Sequence, residues 1–417
     1  MKCFYGAVDQ INFSDITGGA SRAAYRIHHA LRSDGVDSKM HVAKATVGDW
    51  TVSSPTGKIF RLGTLARPHI VLLLRNLLRT VDHAPLSLSV LPSGWPQRIN
   101  KSDADVAHLH WVCGEMMSVE DIGHIRKPIV WTLHDMWAFC GAEHYSTNER
   151  WREGYRASNR PKCEGGFDLN RWVWGRKHAK WKKPFQIVTP SRWLAGCVKK
   201  SALMHDWPVT IIPNAIDTDL WQPIDRSTAR MLMGLPQDAQ LIAFGSLESV
   251  RAHHKGFDLL LSALTHLRGH SSGVEVVIFG QGRPSNIPDL GFRIHYTGHL
   301  HDDLSLRVLY SAVDTVVIPS RMDNLPNVGV ESLACGTPVV AFDTCGLPDI
   351  VTHKQTGWLA KPFDAEDLAT GIRWILQDEA RLMRLRHASR AYALEHFSFP
   401  IVAAQYEALY QRVLEHN

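Results

Sequence analysis

Residues 317–342 read VIPSRMDNLPNVGVESLACGTPVVAF. An apolar run enters a polar loop, small residues follow, and a second apolar run closes the stretch. Pro326 and Asn327 suit a helix start, and Gly336 followed by Pro338 suits a stop. The reading is strand, loop, helix over 328–335, strand, which is the repeating unit of a parallel sheet. In such sheets ligands gather outside the carboxyl ends of the strands, where loop 319–327 is expected. The first N–H groups of the helix carry about half a positive charge and attract phosphate. Asp323 stands in the loop and Glu331 is expected in the first helical turn. Two carboxylates thus flank an anion-binding helix tip, an arrangement that suits two polyhydroxylated groups either side of a diphosphate. Spacing alone leaves a plainer assignment open, in which Glu331 favours its own helix end and Asp323 caps a turn.

The alternation continues outward. Strands are expected at 241–244, 274–279, 293–297, 315–318, 339–342 and 357–359, and helices at 256–267, 304–311, 365–376 and 399–414. In the first half a helix over 20–32 follows a glycine pair. Buried strands are expected at 106–110, 129–133 and 187–189, with a helix from Arg192. Residues 213–223 read as a crossover loop. Segment 141–183, rich in Trp and Arg, shows no regular pattern.

The chain has 417 residues, 45% hydrophobic and 21% charged. A single core rarely grows past ~250–300 residues, so two domains are expected. Seven cysteines lie singly at 3, 113, 140, 163, 197, 335 and 345. Their spacing suggests neither a zinc site nor a disulfide framework. MKCFYGAVDQ at the N-terminus has no secretory apolar core, and no stretch approaches the ~18 apolar residues of a membrane span. A cytoplasmic location is expected.

Residues 1–200 hold 29 Lys+Arg against 17 Asp+Glu, leaving 17 against 24 for the rest. The basic first half is expected to face something anionic: a membrane surface, a lipid diphosphate, an acidic glycan or nucleic acid. A solvated basic face is the plain alternative. RLGTLARPHIVLLLRNLLRT at 61–80 reads either as a buried core helix or as a helix lying on an anionic bilayer.

Further loops carry polar chemistry. Residues 245–256, GSLESVRAHHKG, follow a strand and open a helix, so Arg251 and Lys255 are placed to neutralise a diphosphate. Gly18 and Gly19 begin a helix after the first strand region, where backbone approaches a ligand closely. His134 ends a buried strand, with Asp135 beside it to orient it, and His110 ends the preceding strand. Asp217-Thr218-Asp219 and Asp103-Ala104-Asp105 are poor metal motifs. Gly280-Gln281-Gly282 lacks the third glycine of a dinucleotide fingerprint.

Residues 323–338 resemble the nucleotide-sugar signature of the family-4 glycosyltransferases of the GT-B fold. There, two acidic residues separated by seven others precede a helix ending in small-residue-Cys-Gly-Thr-Pro. Asp323 occupies the place of a more usual Glu. Asp323-Asn324-Leu325-Pro326-Asn327 is similar to a bacterial subgroup that builds exopolysaccharide or lipopolysaccharide. The resemblance implies an α/β chain with two Rossmann-like domains facing across a cleft. The expected bounds are 1–208 for the acceptor side, 209–397 for the nucleotide-sugar donor side, and 398–417 for a helix packing back on the first domain.

It also implies roles. Asp323 would hold donor-sugar hydroxyls and Glu331 the ribose, with Asn324, Leu325, Asn327 and Val328 in the donor site. Lys255-Gly256 matches the family loop, and Arg251 would replace the family Arg, whose usual place is Ser246. Gly18 and Gly19 would lie by the reacting phosphate, and His134 would face the donor sugar. Transfer would retain anomeric configuration, the leaving diphosphate deprotonating the acceptor. No metal or cofactor is expected. The implied partners are a nucleotide-sugar donor and a glycan or lipid-linked acceptor, with peripheral contact to an anionic membrane at the inner face of the plasma membrane and no nucleic acid. Two rivals are a GT-B nucleotide-sugar epimerase and a non-catalytic nucleotide-sugar or nucleic-acid binder.

Overall fold

A computed structural model describes residues 4, 6–57, 63, 66, 67, 69, 71, 86–245, 253–268, 273–280, 282, 291–300 and 302–416. The chain forms two compact units, Met1–Pro213 with Val402–Asn417, and Asn214–Ile401.

The first unit holds a seven-stranded sheet in the order β3-β2-β1-β4-β5-β6-β7. Its strands are β1 Ala7–Ser14, β2 Asp37–Lys44, β3 Val52–Ser53, β4 Val106–Leu109, β5 Ile129–Thr132, β6 Gln186–Thr189 and β7 Val209–Ile211. Every pairing is parallel. β4 and β5 are buried at every position, which is why they read as unbroken apolar runs. β2 instead alternates, burying Ser38, Met40 and Val42. β7 pairs with β6, Val209 opposite Ile187, so this sheet runs past residue 208 and the unit ends at Pro213.

The second unit holds a six-stranded parallel sheet in the order β10-β9-β8-β11-β12-β13. The strands are β8 Gln240–Gly245, β9 Val274–Phe279, β10 Arg293–Gly298, β11 Thr315–Ile318, β12 Val339–Phe342 and β13 Gly357–Ala360. Side chains leave a strand on alternate faces, and the two cores of this unit follow that period. Ala243, Val277, Val316, Ile318, Val339 and Ala341 enter one core. Ile242, Phe244, Val276, Val317, Val340 and Phe342 enter the other.

In both sheets strand order reverses beside a central strand, between β1 and β4 and between β8 and β11. Ligand crevices of open α/β sheets form at such switch points, outside the carboxyl ends.

Helices pack on these sheets. α1 (Gly19–Ser33) follows β1, and α2 (Leu169–Lys180) lies in the segment that showed no pattern. α3 (Phe257–Leu267) follows β8, α4 (Asp303–Ala312) precedes β11, α5 (Asn327–Ala334) joins β11 to β12, and α6 is Ala365–Leu376. α7 (Glu379–Phe397) has no pronounced apolar stripe because its arginines do structural work. Arg386 donates to the carbonyls of Ser311 and Val313 at the end of α4. Arg390 donates to those of Ala334, Trp221 and Thr218. Both satisfy carbonyls left without partners where helices and turns end. α8 (Phe399–Glu415) crosses the boundary between the units and buries Tyr406 and Tyr410 in the first. No helix among the described residues is long and apolar enough to cross a membrane.

Candidate active site

Two loops meet at the switch point of the second sheet. The turn before α3 ends at Gly256, with φ +69°. A Cβ there would fall 1.9 Å from the Pro319 carbonyl oxygen, so only glycine lets this turn lie against the end of β11. The Arg321 amide donates to the His254 carbonyl at 2.8 Å. The Arg321 guanidinium grips both oxygens of Asp258, at 2.7 and 2.5 Å. So fixed, Lys255 Nζ donates to Asp323 Oδ2 at 2.7 Å, and Ser320 Oγ donates to the same oxygen at 3.2 Å. Asp323 is buried and the Lys255 side chain is about one-third exposed. From behind, the Gly346 amide donates to the Asp323 carbonyl at 3.0 Å.

α5 starts at Asn327, one residue ahead of the helix expected over 328–335, and its N-cap residue Pro326 supplies no side-chain cap. Gly329 brings the helix close to the sheet, since a Cβ there would meet Ile350 at 2.9 Å and Ile318 at 3.2 Å. Asn214 Nδ2 donates to the Leu325 carbonyl at 3.1 Å and to Asn327 Oδ1 at 3.2 Å, bracing the loop from the start of the unit. Asn324 and Leu325 are buried, Asn327 and Val328 partly so.

Glu331 departs from expectation. It is the fifth residue of α5, not part of its first turn, because the helix begins at Asn327. Its side chain is buried and its Oε2 accepts from the Tyr310 hydroxyl of α4 at 2.9 Å. Tyr310 packs between Trp221 and Phe279. The carboxylate is thereby oriented by a fixed phenol. Arg251 and Ser246 lie outside the described residues, as does most of 61–80. Within that segment Arg67 donates to the Leu91 and Glu115 carbonyls. The Asp-x-Asp stretches have structural partners: Asp217 Oδ1 accepts from the Asp219 and Leu220 amides, and Asp105 Oδ2 from the Ala7 amide.

At the carboxyl edge of the first sheet, Gly18 caps α1 with φ +88° and ψ +169°. A Cβ there would meet nothing within 4 Å, so conformation and not crowding requires glycine. Asp15, just ahead, accepts from the Thr46 and Val47 amides and holds this loop to the end of β2. Parallel pairing brings His110, after β4, and His134, after β5, to the same edge. Their rings stack at 5.5 Å, with His110 Nδ1 3.2 Å from His134 Nε2. Burial pushes His134 down to about 4, and it pushes His110 well below the usual imidazole range, helped by the neighbouring His108 and His134.

Asp135 serves other residues. Its Oδ2 accepts from His144 Nδ1 at 2.6 Å and Trp111 Nε1 at 3.0 Å, and its Oδ1 from the Trp137 amide at 2.9 Å. Burial works to raise this carboxyl, but those donors outweigh it and hold it below the usual range. The ring-to-ring bond to His134 comes from His110, whose place at a strand end was its only sequence signal. Lys177 of α2 gave no signal. It is buried under Trp137, its Nζ 3.7 Å from the ring centroid, and donates to the Trp137, Cys140 and Gly141 carbonyls, tying down the chain after Asp135.

A helix tip, a lysine–carboxylate pair and an oriented glutamate at a switch point suit a phosphorylated, hydroxyl-rich ligand. The chain is 28% identical over 217 residues to a D-inositol 3-phosphate glycosyltransferase of Segniliparus rotundus, covering 49% of this chain and 47% of that one. It is 31% identical over 209 residues to a glycogen synthase of Mycobacterium tuberculosis, covering 48% of each. The chain thus spans about half the length of these curated relatives. Among solved structures, a sucrose-phosphate synthase from Thermosynechococcus elongatus superposes with TM-score 0.67 at 18% identity, covering 99% of this chain and all of that one. Anabaena HepE, solved with UDP and glucose, gives 0.65 at 17%, covering 98% and 100%. WaaG, a glycosyltransferase involved in lipopolysaccharide biosynthesis, gives 0.63 at 16%, covering 96% and 99%. These likenesses establish the fold. Residues 17–220 match the family model described as Glycosyltransferase Family 4, and residues 238–378 that described as Glycosyl transferases group 1. With two matching models that together span most of its length, the chain belongs to the family-4 glycosyltransferases of the GT-B fold.

Proposed function

We propose that the chain transfers a sugar from a nucleotide-sugar donor to a glycan or lipid-linked glycan, with retention, in the building of a bacterial surface polysaccharide. The observation that carries the donor assignment is the Lys255–Asp323–Ser320 cluster at the end of β11, beside the start of α5. In this reading the diphosphate takes the Lys255 ammonium and the first amides of α5. Asp323, with Asn324 and Leu325 behind it, receives hydroxyls of the donor sugar, and Asn327 and Val328 form the helix tip. Glu331, aimed by Tyr310, receives a ribose hydroxyl. As the diphosphate leaves it gains charge, and the lysine and the helix tip stabilise that charge without rearranging. The diphosphate itself takes the acceptor proton on the face where the new bond forms. His134 and the Gly18–Gly19 turn contribute substrate contacts from the first unit. The basic character of residues 1–200 supports a lipid-linked acceptor at an anionic membrane.

The test is thermal unfolding with UDP-glucose, UDP-N-acetylglucosamine, GDP-mannose and ADP-glucose. A true donor at about a hundred times its Kd adds about 2.7 kcal/mol of stability. At least one of these is expected to raise the midpoint, and the absence of a response to all four would overturn the donor assignment.

A further inference from the structure

The turn that follows β12 is clasped to the loop that carries Asp323. Residues 343–346 read Asp-Thr-Cys-Gly, and Cys345 holds φ +51°, in the left-handed region. There the Cβ of an ordinary residue crowds the next carbonyl oxygen, so glycine is the usual occupant and a cysteine costs free energy. The adjacent Gly346 does not take that conformation, its φ being −89°. Strain of this kind persists only where the surrounding structure holds it.

Two contacts hold it. The Gly346 amide donates to the Asp323 carbonyl at 3.0 Å. The Cys345 thiol donates to the Arg321 carbonyl at 3.7 Å, and the Thr344 hydroxyl donates to the sulfur at 3.6 Å. The Asp323 amide also faces the sulfur. Burial pushes the thiol up, outweighing the Thr344 hydroxyl and the Asp323 amide, so it keeps its hydrogen at ordinary pH and remains a donor. Sulfur is polarisable, and one sulfur atom here faces a carbonyl and an amide together.

The same loop is fixed from its other side. The Arg321 amide donates to the His254 carbonyl, and the Arg321 guanidinium holds Asp258. Asp323 follows two residues later, with its carboxylate on Lys255 Nζ at 2.7 Å and Ser320 Oγ at 3.2 Å. Its main chain is therefore gripped at the Arg321 carbonyl, at its own amide and at its own carbonyl, all from the turn at 343–346.

We propose that Cys345 is a positioning residue for the donor sugar: its left-handed turn and its thiol fix the main chain of Asp323 and so aim that carboxylate. This rests on the reading of Asp323 as the acceptor of donor-sugar hydroxyls. The thiol acts through Asp323 and touches no substrate itself.

The test is calorimetric titration of the full chain with whichever of UDP-glucose, UDP-N-acetylglucosamine, GDP-mannose and ADP-glucose stabilises the wild type most. Cys345→Gly allows the turn without steric cost and removes the thiol. It should unfold cooperatively, yet bind the donor roughly fivefold more weakly. In an Asp323→Ala chain, Cys345→Gly should cause no further loss, because the carboxylate through which it acts is gone. A Cys345→Gly chain that binds as the wild type does overturns the proposal. So does an equal further loss in the Asp323→Ala chain, which would place the effect elsewhere in the loop. Wild-type affinity in Asp323→Ala would overturn the donor reading of Asp323, and the positioning role with it. Should Cys345→Gly not fold, Cys345→Ala answers the same two comparisons.

Discussion

Lys255 Nζ and Asp323 Oδ2 stand 2.7 Å apart, joining two loops separated by 68 positions in sequence. The pair brings a cation and a hydroxyl acceptor to one point at the end of the second sheet. Lys255→Ala and Asp323→Asn are each expected to weaken nucleotide-sugar binding roughly tenfold, about 1.4 kcal/mol. Because each partner orients the other, the double variant should lose less than the sum. Calorimetric titration of the three variants measures this. Lys255→Ala should change folding stability by about 1 kcal/mol or less, since the lysine is one-third exposed.

Gly256 holds the first of those loops against the second. Gly256→Ala would place a methyl 1.9 Å from the Pro319 carbonyl at φ +69°. A left-handed alanine alone costs about 1–2 kcal/mol, and relieving the clash displaces one loop. Urea unfolding should show a loss of about 2 kcal/mol or more, with weakened donor binding. Wild-type stability would contradict the packing described.

Much of the fold was legible because the central strands are buried on both faces. Thr315–Ile318 and Val339–Phe342 have the same bounds in sequence and structure. β2 escaped notice because half of its residues are polar and outward. α7 escaped because Arg386 and Arg390 are spent on carbonyls that only tertiary contact supplies. In the site, the glycine at 256 and the lysine–acid motif were visible. The Tyr310 bond to Glu331 and the Gln10–His110 bond were not, since they join residues 21 and 100 positions apart with no local signal. The partners of the Asp135 carboxylate, His144, Trp111 and the Trp137 amide, were not visible either, because two of the three are side chains brought to it only by the fold.

The segment without a sequence pattern is held by a buried cation. Arg150 Nη2 donates to Asp168 Oδ2 at 2.6 Å, and its Nε to Asn159 at 3.2 Å, with Glu164 nearby. Arg150→Ala leaves the partly buried Asp168 and Glu164 carboxylates with only the more distant Arg160 and should cost about 3 kcal/mol, the low end for a buried ion pair. Arg150→Lys should recover little of that, because an ammonium cannot reproduce the planar fork. Denaturant unfolding of both variants tests the point.

α8 carries a titrating group where it packs on the first unit. Burial, reinforced by Asp34, pushes the Glu407 carboxyl up to about 7. The folded state therefore binds this proton more tightly than the unfolded chain does. Its contribution is fully present below the ordinary carboxyl pKa of 4.5 and is lost as pH rises through about 7. Stability should decline between those values in the wild type, and Glu407→Gln should flatten the decline. An unaltered pH profile in that variant would show that the carboxyl does not titrate there.

The central claim is that the second unit binds a nucleotide sugar through Lys255, the loop at 319–328 and Glu331. Calorimetric titration of the most stabilising nucleotide sugar into wild type, Lys255→Ala and Glu331→Gln tests it most directly. The account predicts saturable binding in the wild type and roughly tenfold or greater weakening in both variants, with cooperative unfolding intact. Equal affinity in all three would contradict it.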